Sequence, residues 1–201
     1  MPNLEGKRTF IAINLTYELK NYLTVIKNNI NIPDTKIKWV NKNNFHITLK
    51  FLGYQSLEKI ERIKKSLEEI VNLHNSFVMQ LSPFIGCFPS LNNPRIIWVG
   101  IEKGIDNLKK LSDSINFSLS KRNLLEDKKE FSSHITIGRV KFIKDKNLFF
   151  ETLKNININQ LLQNVKSLEL MESQLTPTGP IYNIIEKYSF PDKKFKNIKK
   201  Q

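Results

Sequence analysis

The chain has 201 residues, 40% of them hydrophobic, and a formal charge of +13 from 32 basic and 19 acidic side chains. That size supports a substantial core, in one domain or two small lobes. No apolar run approaches the roughly 18 residues of a spanning helix and no secretory hydrophobic region follows the first eight residues, so no membrane association and a cytoplasmic location are expected. Cys87 is the only cysteine, which excludes an intramolecular disulfide and a multi-cysteine metal site. Set in Phe84-Ile85-Gly86-Cys87-Phe88, it reads as an inert, packed thiol. The positive charge favours a polyanionic partner. It does not by itself name nucleic acid, because only five basic residues are arginine and the lysine excess accompanies abundant Asn and Ile.

In chain order, Thr9 to Leu15 reads as a strand. Thr16 is placed to cap a helix from Tyr17 to about Asn29, with Leu19, Leu23 and Ile26 at helical spacing. A short strand near Lys36 to Val40 and the turn-like Asn41-Lys42-Asn43-Asn44 lead into Phe45-His46-Ile47-Thr48-Leu49-Lys50, as a hairpin delivering His46 to a sheet. After Gly53, Ser56 opens a helix to about Asn72 on a stripe of Leu57, Ile60, Ile63, Leu67 and Ile70. Phe77 to Phe84 and Arg95 to Ile101 read as paired strands either side of a breaker-rich loop, giving the first half a sheet of about four strands. A helix follows from Ile105 to Leu119, then a charged segment, Lys121 to Glu130, read as an exposed loop at the mouth of a site. Phe131 to Phe142 is a strand, Asn147 to Leu153 a short helix, and Leu161 to Ser173 a strand with a bulge. Tyr182 to Phe190 is the last strand. Residues 1–190 are expected to form one bilobal domain and 191–201 a basic tail.

Two of the three histidines lie in near copies of one motif, His46-Ile47-Thr48-Leu49 and His134-Ile135-Thr136-Ile137. In each, polar residues alternate with apolar ones, the period of a strand with one buried face, so His and Thr point the same way. Two such strands related by a pseudo-two-fold axis bring two imidazoles and two hydroxyls around one small anion. A pair of imidazoles with pKa near 6.5 can divide into one acid and one base without a metal, while the hydroxyls donate to nonbridging phosphate oxygens. A lone His-x-Thr is more often core or surface than site; the matched second copy in a histidine-poor chain favours the functional pair. His74 has neither the Thr nor an acidic cluster and reads as a surface or cap residue. A zinc site is the rival, without a familiar ligand spacing to support it.

The motifs and their surroundings resemble the two-histidine phosphoesterases, and within them the RNA 2′,3′-cyclic phosphodiesterases, also called 2′-5′ RNA ligases. The resemblance covers most of the chain: Arg8-Thr9-Phe10-Ile11-Ala12-Ile13, Lys38-Trp39-Val40, Asn44 to Gly53, Phe84 to Pro89, Pro94 to Gly100, Phe131 to Val140 and Gly179-Pro180-Ile181-Tyr182. It implies an α+β fold, bilobal and pseudo-two-fold, with two antiparallel sheets around a central groove and helices packed outside. It also implies hydrolysis of RNA 2′,3′-cyclic phosphate ends to 2′-phosphomonoesters with no cofactor and no metal, and in some members the reverse joining of tRNA fragments through a 2′-5′ linkage; a monomer is expected. His46 would protonate the departing O3′, His134 would activate water, and Thr48 and Thr136 would hold the phosphate.

Arg139 matches the arginine after the family's second motif and suits phosphate binding. Five residues from His134, it faces away from the site on a regular strand, so that role requires a bend, a bulge or the strand's end, which Gly138 permits, and a surface salt bridge is the alternative. Lys50 has the parity of His46 and is a weaker candidate. Ser133 stands where the family often has proline. Phe10, Phe45 and Phe131 are candidates to stack on a terminal base, against a plain core role. Two other functions fit the same residues: a cyclic phosphodiesterase of small nucleotides, and a non-catalytic module binding RNA ends.

Overall fold

Alternating apolar residues build nine strands, and apolar stripes at helical spacing build four helices, in a computed structural model that describes residues 5–125, 130–177 and 179–191. The strands are β1 (Gly6–Asn14), β2 (Thr35–Trp39), β3 (His46–Ser56), β4 (Phe77–Ser90), β5 (Asn93–Lys103), β6 (His134–Ile143), β7 (Leu162–Val165), β8 (Ser167–Thr176) and β9 (Gly179–Ser189). The helices are α1 (Tyr17–Asn29), α2 (Leu57–Val71), α3 (Ile105–Lys121) and α4 (Lys146–Lys154). Thr16 caps α1 and Ser56 caps α2, each side chain accepting from the backbone N–H three residues on.

The strands follow the order β7-β4-β5-β6-β3-β1-β8-β9, with β2 also paired to β6, and every pairing is antiparallel. The two expected sheets are therefore the two halves of a continuous one. They meet where β3 and β6 pair through Ile47 and Ile135. Both isoleucines are fully buried, so the junction is anchored on the core face and the opposite face of the same strands is left to form a groove. Helices α2 and α3 pack together and against β3, while α1 packs against β6 and α4 against β4. Among the described residues no helix is long and apolar enough to cross a membrane.

The lobes are not the two halves of the sequence. Strands β4 and β5 do form the expected pair, but β5 continues the sheet onto β6, with Gly100 opposite His134 and Trp98 opposite Thr136. The lobe of His46 is completed instead by β8 and β9. Strand β2 does not make a hairpin with β3; it pairs with β6, from Thr35 opposite Ile143 to Trp39 opposite Gly138. The expected strand from Leu161 to Ser173 divides at Lys166, because β7 edges one lobe and β8 lies in the other. The breaker-rich stretch after Gly86 stays extended, and β4 runs on to pair Ser90 with Asn93. Of the segment Lys121 to Glu130, Lys121 ends α3 and Leu124 is buried, while 126–129 lie outside the described residues, as does the tail from 192.

Candidate active site

The two motif strands run side by side with matching irregularities. In β3 the partners of β1 jump from Thr48 to Lys50, leaving Leu49 as an extra residue; in β6 the partners of β5 jump from Thr136 to Gly138, leaving Ile137 as one. Such bulges reset which residues face outward. After the bulge, Lys50 is only 5% exposed, but it still lines the cavity that His46 lines. Phe51 and Arg139, one residue further on in each strand, are exposed and line the groove. Of the departures from a regular strand that would bring Arg139 to the groove, β6 has a bulge. The carbonyl of Leu49 accepts from the buried Ser112 hydroxyl of α3 at 3.1 Å, which satisfies a group at the irregular position.

An antiparallel register centred on Ile47 and Ile135 sets Thr136 beside His46 and Thr48 beside His134. All four side chains line one cavity of about 1470 Å³. Each imidazole is held in the same manner. Nδ1 of His46 donates to the Asn44 carbonyl at 2.7 Å, and Nδ1 of His134 donates to the Ser132 carbonyl at 2.8 Å. A proton held on Nδ1 leaves Nε2 as the basic nitrogen of the neutral ring. Nε2 of His46 accepts from the Thr48 hydroxyl at 2.9 Å. The Asn44 side chain donates to the Pro180 carbonyl at 2.8 Å, tying the anchor of His46 to β9.

Aromatic rings fix the imidazoles from the sides. Phe10 and Tyr182 stand 4.9 Å and 5.3 Å from His46, and Phe88 and Trp98 stand 4.9 Å and 6.3 Å from His134, centroid to centroid. Burial pushes the His46 pKa down from 6.5 to about 4, against the opposing pull of the Asn44 carbonyl, with the Lys20 and His134 charges adding to the decrease. His46 is therefore neutral at pH 7. Burial pushes the Cys87 thiol up to about 11, as suits an inert core residue. His74 lies away from the groove, where its Nε2 meets the Ser114 hydroxyl at 3.0 Å.

Of the three candidate stacking rings, Phe45 is fully buried in the core, with the Lys27 ammonium 5.7 Å from its centroid, and is no stacking surface. Phe10 is 3% exposed, its ring spent on His46 and Tyr182. Phe131 is half-buried in the groove wall. The groove is strongly cationic: Arg8, Lys27, Lys38, Lys50, Arg139 and Lys141 line it, against Glu130 alone among the carboxylates of the described lining. No group of three or more His, Cys, Asp or Glu side chains is set as a metal-ligand cluster among the described residues.

Comparison with known proteins places this geometry. The family "LigT like Phosphoesterase" matches residues 13–98, which include the first motif but stop short of His134. The chain is 34% identical over 183 residues to the RNA 2′,3′-cyclic phosphodiesterase of Thermotoga maritima, covering 91% of this chain and 95% of that one. It belongs to this phosphoesterase family. The RNA 2′,3′-cyclic phosphodiesterase of Methanocaldococcus jannaschii is also 34% identical, over 90% of this chain and 99% of its own. Among solved structures, the Thermus thermophilus protein TT0787 shares the fold with a TM-score of 0.79 at 23% identity, and Escherichia coli LigT, crystallised with 3′-AMP, with a TM-score of 0.73 at 20%. Each of the two covers 92% of this chain and is itself covered to 99%. The chain is thus a phosphoesterase with the α+β architecture of its family.

The candidate site of this phosphoesterase includes residues that its strand patterns did not single out. Phe88, Trp98 and Tyr182 sit far from either motif in sequence, and only the pairing of β5 with β6 and the course of β9 bring them to the histidines. Gly86 is part of the same arrangement. A Cβ there would lie 2.2 Å from the Trp98 ring, so the absent side chain is what lets the indole cross β4 beside Phe88 and His134. Gly86→Ala should destabilise the protein by about 2 kcal/mol through overpacking, read as a lower urea midpoint at an unchanged slope; an unchanged midpoint would show that the indole has room to move.

Proposed function

We propose that this phosphoesterase hydrolyses RNA 2′,3′-cyclic phosphate ends to 2′-phosphomonoesters, without a metal ion. The observation that carries the reading is the pair of Nδ1-anchored imidazoles on adjacent antiparallel strands, each with a threonine hydroxyl, inside a cationic groove. In the reaction, the oxygen of a water molecule attacks phosphorus as His134 takes its proton. The bond from phosphorus to O3′ breaks, and O3′ leaves with a proton from His46. The 2′-ester bond survives, and the product is the 2′-monoester with a free 3′-hydroxyl. Thr48, Thr136 and Arg139 hold the nonbridging oxygens, the guanidinium through paired donors.

The low pKa of His46 adds a requirement. Neutral in the free protein, His46 can serve as the acid only if its proton arrives with the substrate, whose phosphodiester charge beside the ring favours the imidazolium. The Thr48 hydroxyl, which donates to Nε2 in the free protein, must then turn to a phosphate oxygen.

Incubation with RNA ending in a 2′,3′-cyclic phosphate, followed by identification of the monoester, tests the reading. The 2′-monoester is expected, with rates unchanged in EDTA. A 3′-monoester would reverse the assignment of the leaving oxygen, and loss of activity in EDTA restored by zinc would replace two-histidine catalysis by a metal mechanism.

A further inference from the structure

We propose that the ribbon formed by β2 and β6 is a binding track for the single-stranded RNA that precedes the terminal phosphate, an inference that rests on the function proposed above. The ribbon leaves the groove directly: Lys38, Arg139 and Lys141 line the cavity, and the same two strands continue past it. Alternation divides its faces. Ile37 and Val140 pack against the core, whereas Lys38 lies opposite Arg139, and Lys36 opposite Phe142, on the other side. Lys141 is the extra residue of a second bulge in β6, which keeps Phe142 on the cationic face. Gly138 allows the strands this closeness, because a Cβ there would lie 2.8 Å from the Trp39 ring and 2.9 Å from the Ile37 side chain.

All four cations are exposed, and among the described residues none of them is in an ion pair. Lysines on an edge strand also protect it against pairing with another chain, and Lys36 and Lys38 alone would need no further explanation. That role does not account for Arg139, which has β2 on one side and β5 on the other, nor for an aromatic ring 52% exposed among the charges at Phe142. Basic side chains that follow a backbone, with an aromatic face among them, are the means by which single strands are held without reading their sequence. A 2′,3′-cyclic phosphate lies at the 3′ end of its RNA, so the rest of the strand must leave the groove on one side. The ribbon offers it unpaired positive charge at a strand spacing of about 6.6 Å between alternate residues.

The test compares a 2′,3′-cyclic mononucleotide with a short single-stranded RNA bearing the same end, for the wild type and for Lys36→Ala/Lys38→Ala/Lys141→Ala. The wild type should prefer the RNA, through KM. In the triple variant the ratio of kcat/KM for RNA to that for mononucleotide should fall. Its salt slope should flatten by about 2, so that raising salt from roughly 50 to 200 mM costs the variant about 20-fold less RNA affinity than it costs the wild type. The triple Lys→Arg variant should keep both properties. An unchanged ratio and slope in the alanine variant would overturn the track and leave the proposed reaction standing. The same slopes are read by fluorescence anisotropy with RNA ending in a 2′-phosphate. The track is therefore tested even if no cyclic phosphate is hydrolysed, a result that would overturn the reaction alone.

Discussion

Replacing His46 or His134 with alanine should each lower cyclic phosphate turnover by roughly 10² to 10⁴-fold, the usual extent of general acid or base catalysis. Both rings have Nδ1 engaged by a backbone carbonyl, at 2.7 Å and 2.8 Å, so each lies in a fixed orientation with its other nitrogen directed to chemistry. The loss should be in kcat, with KM little changed, since Thr48, Thr136 and Arg139 remain to bind the phosphate. The two variants then separate the roles. A phosphodiester with a nitrophenolate leaving group needs no proton at the departing oxygen, so the variant lacking the acid should recover on it and the variant lacking the base should not. Recovery by His46→Ala is expected; recovery by His134→Ala would exchange the two assignments. Wild-type turnover in either variant would remove the pair from the mechanism.

Acid should destabilise the folded protein through His46, by about 3 kcal/mol between pH 6.5 and 4. In the unfolded chain this imidazole takes a proton at its ordinary value of 6.5, whereas burial against Phe10 and Tyr182 holds it neutral in the fold until about pH 4. Between those values the unfolded state binds more protons. The contribution is accordingly complete above pH 6.5 and is lost as the pH falls through the window. Urea unfolding of the wild type and of His46→Gln from pH 7 to 4 measures it. The variant should lose about 3 kcal/mol less over that range, and parallel curves for the two proteins would refute the depressed pKa.

The charge of the groove bears on how these results combine. Six cations face one carboxylate in the described lining, so anionic substrates are drawn in and protons are repelled. In the proposed reaction, His46, held neutral in the empty site chiefly by burial, takes up its proton when a phosphodiester has entered. Binding and proton uptake would then be coupled, and the acid limb of kcat/KM is expected to differ from that of kcat, since the first reports free protein and the second the complex.

The sequence by itself determined what local periodicity encodes. The alternation in His46-Ile47-Thr48 and His134-Ile135-Thr136 set both imidazoles and both hydroxyls on one face of a strand, and the stripes of α1 to α3 and the caps Thr16 and Ser56 are where spacing puts them. Only the tertiary structure decided which strands meet. A strand's pattern shows that one face is apolar but not which neighbour will cover its edge, so the assignment of β4 and β5 to the lobe of His134, and of β8 and β9 to that of His46, depends on pairings between segments far apart in the chain, Gly100 with His134 and Thr9 with Glu172 among them. The bulges at Leu49 and Ile137 are likewise properties of a pair of strands. They left Lys50 buried at the groove wall and Arg139 exposed in it, against strict alternation. The aromatic frames around the histidines and the low pKa of His46 arise last, because desolvation is summed over Phe10, Tyr182 and other side chains that only the folded chain brings together.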